Sequence, residues 1–254
     1  MWYDYEEVKK KSYPGMDKVE TVKEAFELTS ALGDKVYLID AVTGDEYGYD
    51  GSNKMINRVS NALTGLGLNK GDRVGFFMGN SPRCIFTIVG IMKAGMVVVP
   101  INSNFQEKEI EHLINTAEIS TIVVDPNQKF LDILANVSSG NETLKKILIY
   151  GAGEAGIESK AQTLRLDDLL KDASDANPEA DVHGEDPCVI FFTSGTTGMP
   201  KGAPVSNKMF MVAAQSVLTI PWTNGKTRNY TALPLFHANA QLYSMTGMRC
   251  MGTS

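Results

Sequence analysis

Four short apolar runs, at residues 74–78, 96–99, 121–124 and 147–150, constrain this chain more than any other feature. A strand with one face in water alternates apolar and polar residues, whereas a strand covered on both faces reads as a continuous apolar run. Helical stripes lie between the runs. Ile85, Ile88, Val89 and Met92 form one, Ile110, Leu113, Ile114 and Ala117 the next, and residues 130–137 a third. Such alternation predicts the α/β class, with layered, mostly parallel sheets flanked by helices.

Local signals sharpen the boundaries. Ser52 is expected to cap a helix striped by Met55, Val59, Ala62, Leu63 and Leu66, with Gly65 and Gly67 ending it. Ser81 followed by Pro82 marks another helix start, and Pro100 is expected to stop the strand at 96–99. Residues 151–184 change character: they are rich in Gly, Ala, Ser, Asp and Glu, with one short helix around 166–170. This predicts an N-terminal α/β subdomain at 1–180 and the start of a second at 181–254.

Composition narrows the function. With 254 residues, 43% hydrophobic and 21% charged, the chain can bury a core and is not disordered. A net charge of −6 argues against a sequence-independent nucleic-acid binder. Such a protein can hold a polyphosphate only through a local device of backbone N–H groups and a lysine. Cys84, Cys188 and Cys250 are few, scattered and odd in number, which suits buried reduced thiols in a cytoplasmic protein and no metal site. The acidic N-terminus does not read as a secretory signal. The apolar stretch 84–100 is divided by Lys93, Ala94 and Gly95, so no integral membrane segment is expected.

Two glycine-rich segments compete for attention. Gly151, Gly153 and Gly156 match the dinucleotide fingerprint G-x-G-x-x-G. The residues that follow carry no apolar stripe to open a helix, so a surface loop is the better reading than a nicotinamide site. The second segment follows 189–192, read as a buried strand. It runs Thr193-Ser194-Gly195-Thr196-Thr197-Gly198-Met199-Pro200-Lys201-Gly202. Four hydroxyls, three glycines and a lysine fall within ten residues. Glycines let the backbone approach a ligand, hydroxyls and N–H groups donate to phosphate oxygens, and Lys201 supplies a mobile positive charge. The pattern does not fit the common loop G-x-x-x-x-G-K-[ST].

Residues 192–202 resemble the signature loop of the adenylate-forming (AMP-binding) superfamily, which includes acyl-CoA synthetases, luciferases and peptide-synthetase adenylation domains. Leu233-Pro234-Leu235-Phe236-His237-Ala238-Asn239-Ala240-Gln241 resembles the family's next motif. Lys70-Gly71-Asp72-Arg73-Val74, Asn80-Ser81-Pro82 and Lys93-Ala94-Gly95 recur in family order.

The resemblance implies a two-step reaction. A carboxylic acid attacks the α-phosphate of ATP, delivered with Mg²⁺, and the thiol of CoA then displaces AMP to give a thioester. It implies that Thr193, Ser194, Gly195, Thr196, Thr197, Gly198 and Lys201 hold the phosphates, and that His237 and Lys201 serve catalysis. Where the peptide-synthetase branch carries Asp after Phe, this chain has Phe236-His237, so an acyl-CoA ligase is implied over an amino-acid enzyme. Alternatives are an aryl or amino-acid adenylating enzyme and a nucleotide-binding fragment without catalysis. His112 and His183 read as structural or solvated.

Two departures stand out. After the loop, relatives carry a Thr-His pair where this chain has Ala203-Pro204-Val205-Ser206-Asn207, though Ser206 and Asn207 can still cap a helix at 208–218. Relatives also continue for about as long again, so the resemblance implies an N-terminal fragment, inactive alone. Exposed apolar surface in such a fragment makes a homo-oligomer one expected outcome.

Overall fold

In the computed structural model, residues 10–153, 157–193, 198–216 and 226–247 are described. Helix α1 (Val22–Thr29) opens with a capping box, Thr21 accepting from Glu24 N and Glu24 from Thr21 N. Strands β1 (Val36–Ile39) and β2 (Glu46–Gly48) pair antiparallel as a small separate sheet. Helix α2 (Tyr49–Gly65) follows at once.

The four apolar runs become β3 (Arg73–Phe77), β4 (Val97–Pro100), β5 (Thr121–Val124) and β6 (Lys146–Ile149). The stripes between them become α3 (Pro82–Lys93), α4 (Glu107–Ala117) and α5 (Gln128–Gly140). Strand β7 (Gln162–Arg165), α6 (Leu166–Asp172), β8 (Pro187–Thr193), β9 (Lys201–Ser206) and α7 (Asn207–Gln215) complete the set, and a π-helical segment spans Ala240–Gly247. The larger sheet has the order β7-β6-β5-β3-β4-β8-β9. All its neighbours are parallel except β9, which returns antiparallel to β8.

Alternate side chains of the parallel strands enter two cores. Val74, Phe76, Val98, Val123 and Leu148 join Ile56, Val59, Leu63, Ile88 and Met92 of α2 and α3. Phe77, Val99, Ile122, Val124, Ile147 and Ile149 join α4 and α5, where Phe77 stacks on Phe130 at 4.0 Å. Both faces are covered, which is why these strands lack polar alternation.

Ser81 caps α3, its Oγ accepting from Cys84 N at 3.2 Å, with Pro82 in the first turn. Gly95 (φ 72°) and Gly67 (φ 85°) follow α3 and α2 in the left-handed conformation that closes a helix. At the α2–α3 crossing, a Cβ on Gly90 would lie 2.6 Å from Val59 Cγ1 and 3.1 Å from the Ile56 carbonyl, so the two backbones touch through glycine.

Several expectations are corrected. Helix α2 begins at Tyr49, three residues before Ser52, because fully buried Tyr49 packs on Tyr37 at 5.1 Å and draws the chain into helix early. Its inward face carries Asn53 and Asn57 beside Ile56, while Met55 is only partly buried. Those amides surround Lys93 of α3, which has no exposed surface. Lys93 Nζ donates to Asn57 Oδ1 (2.7 Å), Asn53 Oδ1 (2.9 Å) and Asn177 Oδ1 (3.1 Å), with Glu27 Oε1 at 3.7 Å. Pro100 lies within β4, as its final residue, rather than beyond it. Residues 162–165 form a strand that their polar sequence concealed. Residues 189–192 are not uniformly buried: Val189 is, but Ile190, Phe191 and Phe192 are only partly buried, because β8 runs on past its one ladder pairing with β4. Helix α7 starts at Asn207, one residue before the expected start, and Ser206 Oγ caps it by accepting from Met209 N.

Candidate nucleotide-binding site

The glycine-rich segment joins β8 to β9, so it forms the tip of a hairpin whose first strand is parallel to β4. The loop therefore emerges at the carboxyl ends of the parallel strands, where open α/β sheets bind ligands. The register pairs Thr193 with Lys201, which brings two of the predicted residues together across the hairpin mouth, both exposed. Ser194, Gly195, Thr196 and Thr197 lie outside the described residues. Gly198 is exposed, and a Cβ there would meet nothing within 4 Å, so the surrounding space is open. Gly202 is different: a Cβ would lie 3.0 Å from Ile190 Cγ2 and 3.1 Å from the Phe192 ring, so glycine is needed for close packing.

The expected buried strand, loop and lysine are thus one hairpin. Phe192, beneath the loop, rests on Gly202 of β9. Pro200 is buried, and its carbonyl accepts a hydrogen bond from His112 Nε2 of α4 at 2.9 Å. His112 was expected to be structural or solvated; it ties a helix to the foot of the loop.

His237 reaches the same end of the sheet by another route. After β3, Asn80 grips the 233–235 backbone with both ends of its amide. Asn80 Nδ2 donates to the Leu233 carbonyl and Asn80 Oδ1 accepts from Leu235 N, each at 2.8 Å. The following turn is closed by His237 N donating to Pro234 O at 3.0 Å. The Phe236 and His237 rings lie 4.4 Å apart, with His237 exposed. Fully buried Gln241 donates from Nε2 to Leu235 O at 2.7 Å.

Asp125, at the end of β5, accepts from Gly79 N at 2.6 Å and so steadies the residue before Asn80. Burial holds its carboxyl above the ordinary aspartate range, against the opposing effect of Gly79 N–H and Arg83. Burial likewise pushes the Cys84 thiol well up and the Cys188 thiol up, so both are inert and protonated; Cys250 is outside the described residues. Lys70 binds Asp186 Oδ2 and the Asp181 carbonyl, both at 2.7 Å. The Asp186 carboxyl, pushed up by desolvation, is held below its usual value by Lys70 and the His183 N–H. Lys70, Asn80 and Lys93, singled out by their motifs, thus act as tie points between distant segments.

The competing G-x-G-x-x-G segment has no helix after it. Residues 157–159 are irregular and the edge strand β7 follows, while 154–156 lie outside the described residues. Arg165 donates to the carbonyls of Gly151 and Gly153, which occupies the turn with protein contacts. Among the described residues there is no group of three or more His, Cys, Asp or Glu side chains arranged for a metal, and no helix long and apolar enough to cross a membrane.

Fold and loop together define a mostly parallel α/β protein of the adenylate-forming class. The chain belongs to the AMP-binding enzyme family, whose match runs over residues 27–254. It is 30% identical over 223 residues to long-chain fatty acid transport protein 6 of Mus musculus, covering 83% of this chain and 34% of that protein. It is 27% identical over 219 residues to a crotonobetaine/carnitine–CoA ligase of Salmonella paratyphi A, covering 85% and 42%. The fold matches the crystal structure of the anthranilate CoA ligase AuaEII in complex with anthranoyl-AMP, with a TM-score of 0.82 at 24% identity, over 92% of this chain and 44% of that one. The chain spans less than half the length of these relatives.

Proposed function

We propose that this chain carries the phosphate-holding part of an ATP-dependent acid–CoA ligase. A carboxylic acid attacks the α-phosphate of ATP, releasing pyrophosphate and leaving an acyl-adenylate. The thiol of CoA then attacks the acyl carbon and AMP departs. A carboxylate is a poor acyl donor, and the protein's task is to hold the nucleotide and align the attacking oxygen. Thr193, Ser194, Gly195, Thr196, Thr197 and Gly198 line the phosphates in this reading, and Lys201 offsets their charge as pyrophosphate forms. Magnesium enters with the nucleotide as part of the substrate. His237, beside Phe236, faces the acyl group. The buried thiols support a cytoplasmic setting.

The observation that carries this reading is the Thr193–Lys201 pairing at the base of the glycine-rich segment, with open space at Gly198, on the carboxyl edge of a parallel sheet. The test is a calorimetric titration of the 254-residue chain with Mg-ATP, alongside Lys201→Ala. Saturable binding that the substitution weakens supports it; no binding by the parent chain removes it. The relatives named for fatty acids and for crotonobetaine or carnitine favour an aliphatic acid, and the fold neighbour named for anthranilate favours an aryl acid. Exchange of labelled pyrophosphate into ATP, run across both acid classes, separates the two.

A further inference from the structure

We propose that His112 is a positioning residue for the phosphate loop, acting through the Pro200–Lys201 peptide; this rests on the nucleotide-binding reading above. The His112 ring belongs to α4, which leads from β4 to β5 and packs on one face of the sheet. It is half-buried, and its Nε2 lies 2.9 Å from the Pro200 carbonyl, 88 residues away in sequence. A carbonyl can only accept, so Nε2 carries the proton and His112 is the donor. The other ring nitrogen, Nδ1, lies 3.5 Å from Thr116 Oγ1 one turn along α4, which suits an acceptor to the Thr116 hydroxyl and agrees with that tautomer.

The consequence for Lys201 follows from peptide geometry. No described peptide bond is cis, so the Pro200 carbonyl and the Lys201 N–H point in opposite directions from one rigid plane. Tethering the carbonyl to α4 fixes the plane and turns the Lys201 N–H away from the helix. It also fixes where the Lys201 side chain leaves the backbone. Pro200 adds a locked φ on the loop side of the same plane. At the loop end neither limb is bonded to the core strands: β8 has run past its one pairing with β4, at Val189, so Thr193 pairs only with Lys201, and among the described residues no strand lies beyond β9. His112 thus ties the loop end of this hairpin to α4. A loop that must wrap an anion binds best when it is already shaped, because ordering is not then charged to binding.

The test uses the full 254-residue chain as parent, His112→Ala, and His112→Gln, whose amide N–H can restore a donor of similar reach. Each is titrated with Mg-ATP, with Mg-pyrophosphate and with AMP, and its thermal midpoint is measured. Loss of the tether is expected to weaken Mg-ATP and Mg-pyrophosphate roughly three- to tenfold in His112→Ala. AMP, which lacks the phosphates the loop would grip, should change less than twofold, and His112→Gln should recover most of the loss. Equal weakening of AMP would mean general damage and would overturn the inference, as would unchanged Mg-pyrophosphate binding in a folded His112→Ala. If the parent binds no phosphate ligand, the proposed function fails with it. If the parent binds and the His112 variants bind as the parent does, the proposed function stands and this inference alone falls.

Discussion

The strands β3 to β6 and the β8–β9 hairpin belong to one sheet but are built on opposite rules. Every residue of β4 and β5 is buried, as are four of the five in β3. In β9, the first four of six residues are exposed, and in β8 only Cys188 and Val189 are buried. The first region is made of side chains that can be nowhere else. The second leaves Thr193, Lys201 and the backbone at Gly202 in reach of solvent. On the proposed function the core strands contribute stability and the hairpin contributes binding, and substitutions can test that division.

The largest effect is expected in the core. Phe76 is fully buried in the central strand, and Phe76→Ala should lower the unfolding free energy by about 3–5 kcal/mol in urea titrations. Mg-ATP affinity of the folded protein should stay within twofold. Next is Lys93→Met, which removes the Lys93 donor from Asn53 Oδ1 and Asn57 Oδ1, while Asn177 Oδ1 keeps Asn57 Nδ2, and should cost about 3 kcal/mol. Stability unchanged in Lys93→Met would show that the cage can repack around an apolar chain. Lys201→Ala should do the reverse, weakening Mg-ATP roughly ten- to hundredfold with stability close to that of the parent. A large loss of stability there would break the comparison outright.

The smallest effect is pH-dependent and sits where the two regions meet. Asp125 has a raised folded-state pKa, so its contribution to stability is complete below the unfolded value of about 4 and is lost as pH rises through the folded value. Asp125→Asn keeps an oxygen for Gly79 N–H and has no proton to lose. Its thermal midpoint should gain on the parent as pH rises above about 4. A difference that shrinks with pH would mean the ionised carboxylate is favourably placed after all.

The sequence made the core region readable and the rest less so, for physical reasons. Ser81-Pro82, the stripe at Ile110, Leu113, Ile114 and Ala117, and the apolar run of β5 are local patterns, and burial on both faces leaves them few alternatives. Strand β7 escaped because Gln162-Thr163-Leu164-Arg165 lies at a sheet edge, where polar residues are tolerated. The start of α2 was misplaced because Tyr49 answers to a ring twelve residues earlier rather than to a cap. The residue types of the glycine-rich segment are a local pattern, whereas the return of β9 against β8 is a pairing that no local spacing encodes. Asn80, Lys93 and His112 could not be assigned partners, since each reaches across 36 to 155 residues and no local spacing encodes such a contact.

The seam between the two regions has a dynamic consequence. A single ladder pairing, Val98 with Val189, joins β4 to β8, whereas β3 and β5 share four. Native-state opening should begin at that seam, and the amide hydrogens of β8 and β9 should exchange with deuterium through partial detachments that leave β3 to β6 protected. Anything that grips the loop then rivets a semi-independent flap onto the rest of the sheet, and the slowing of exchange along β8 would report occupancy from well outside the site.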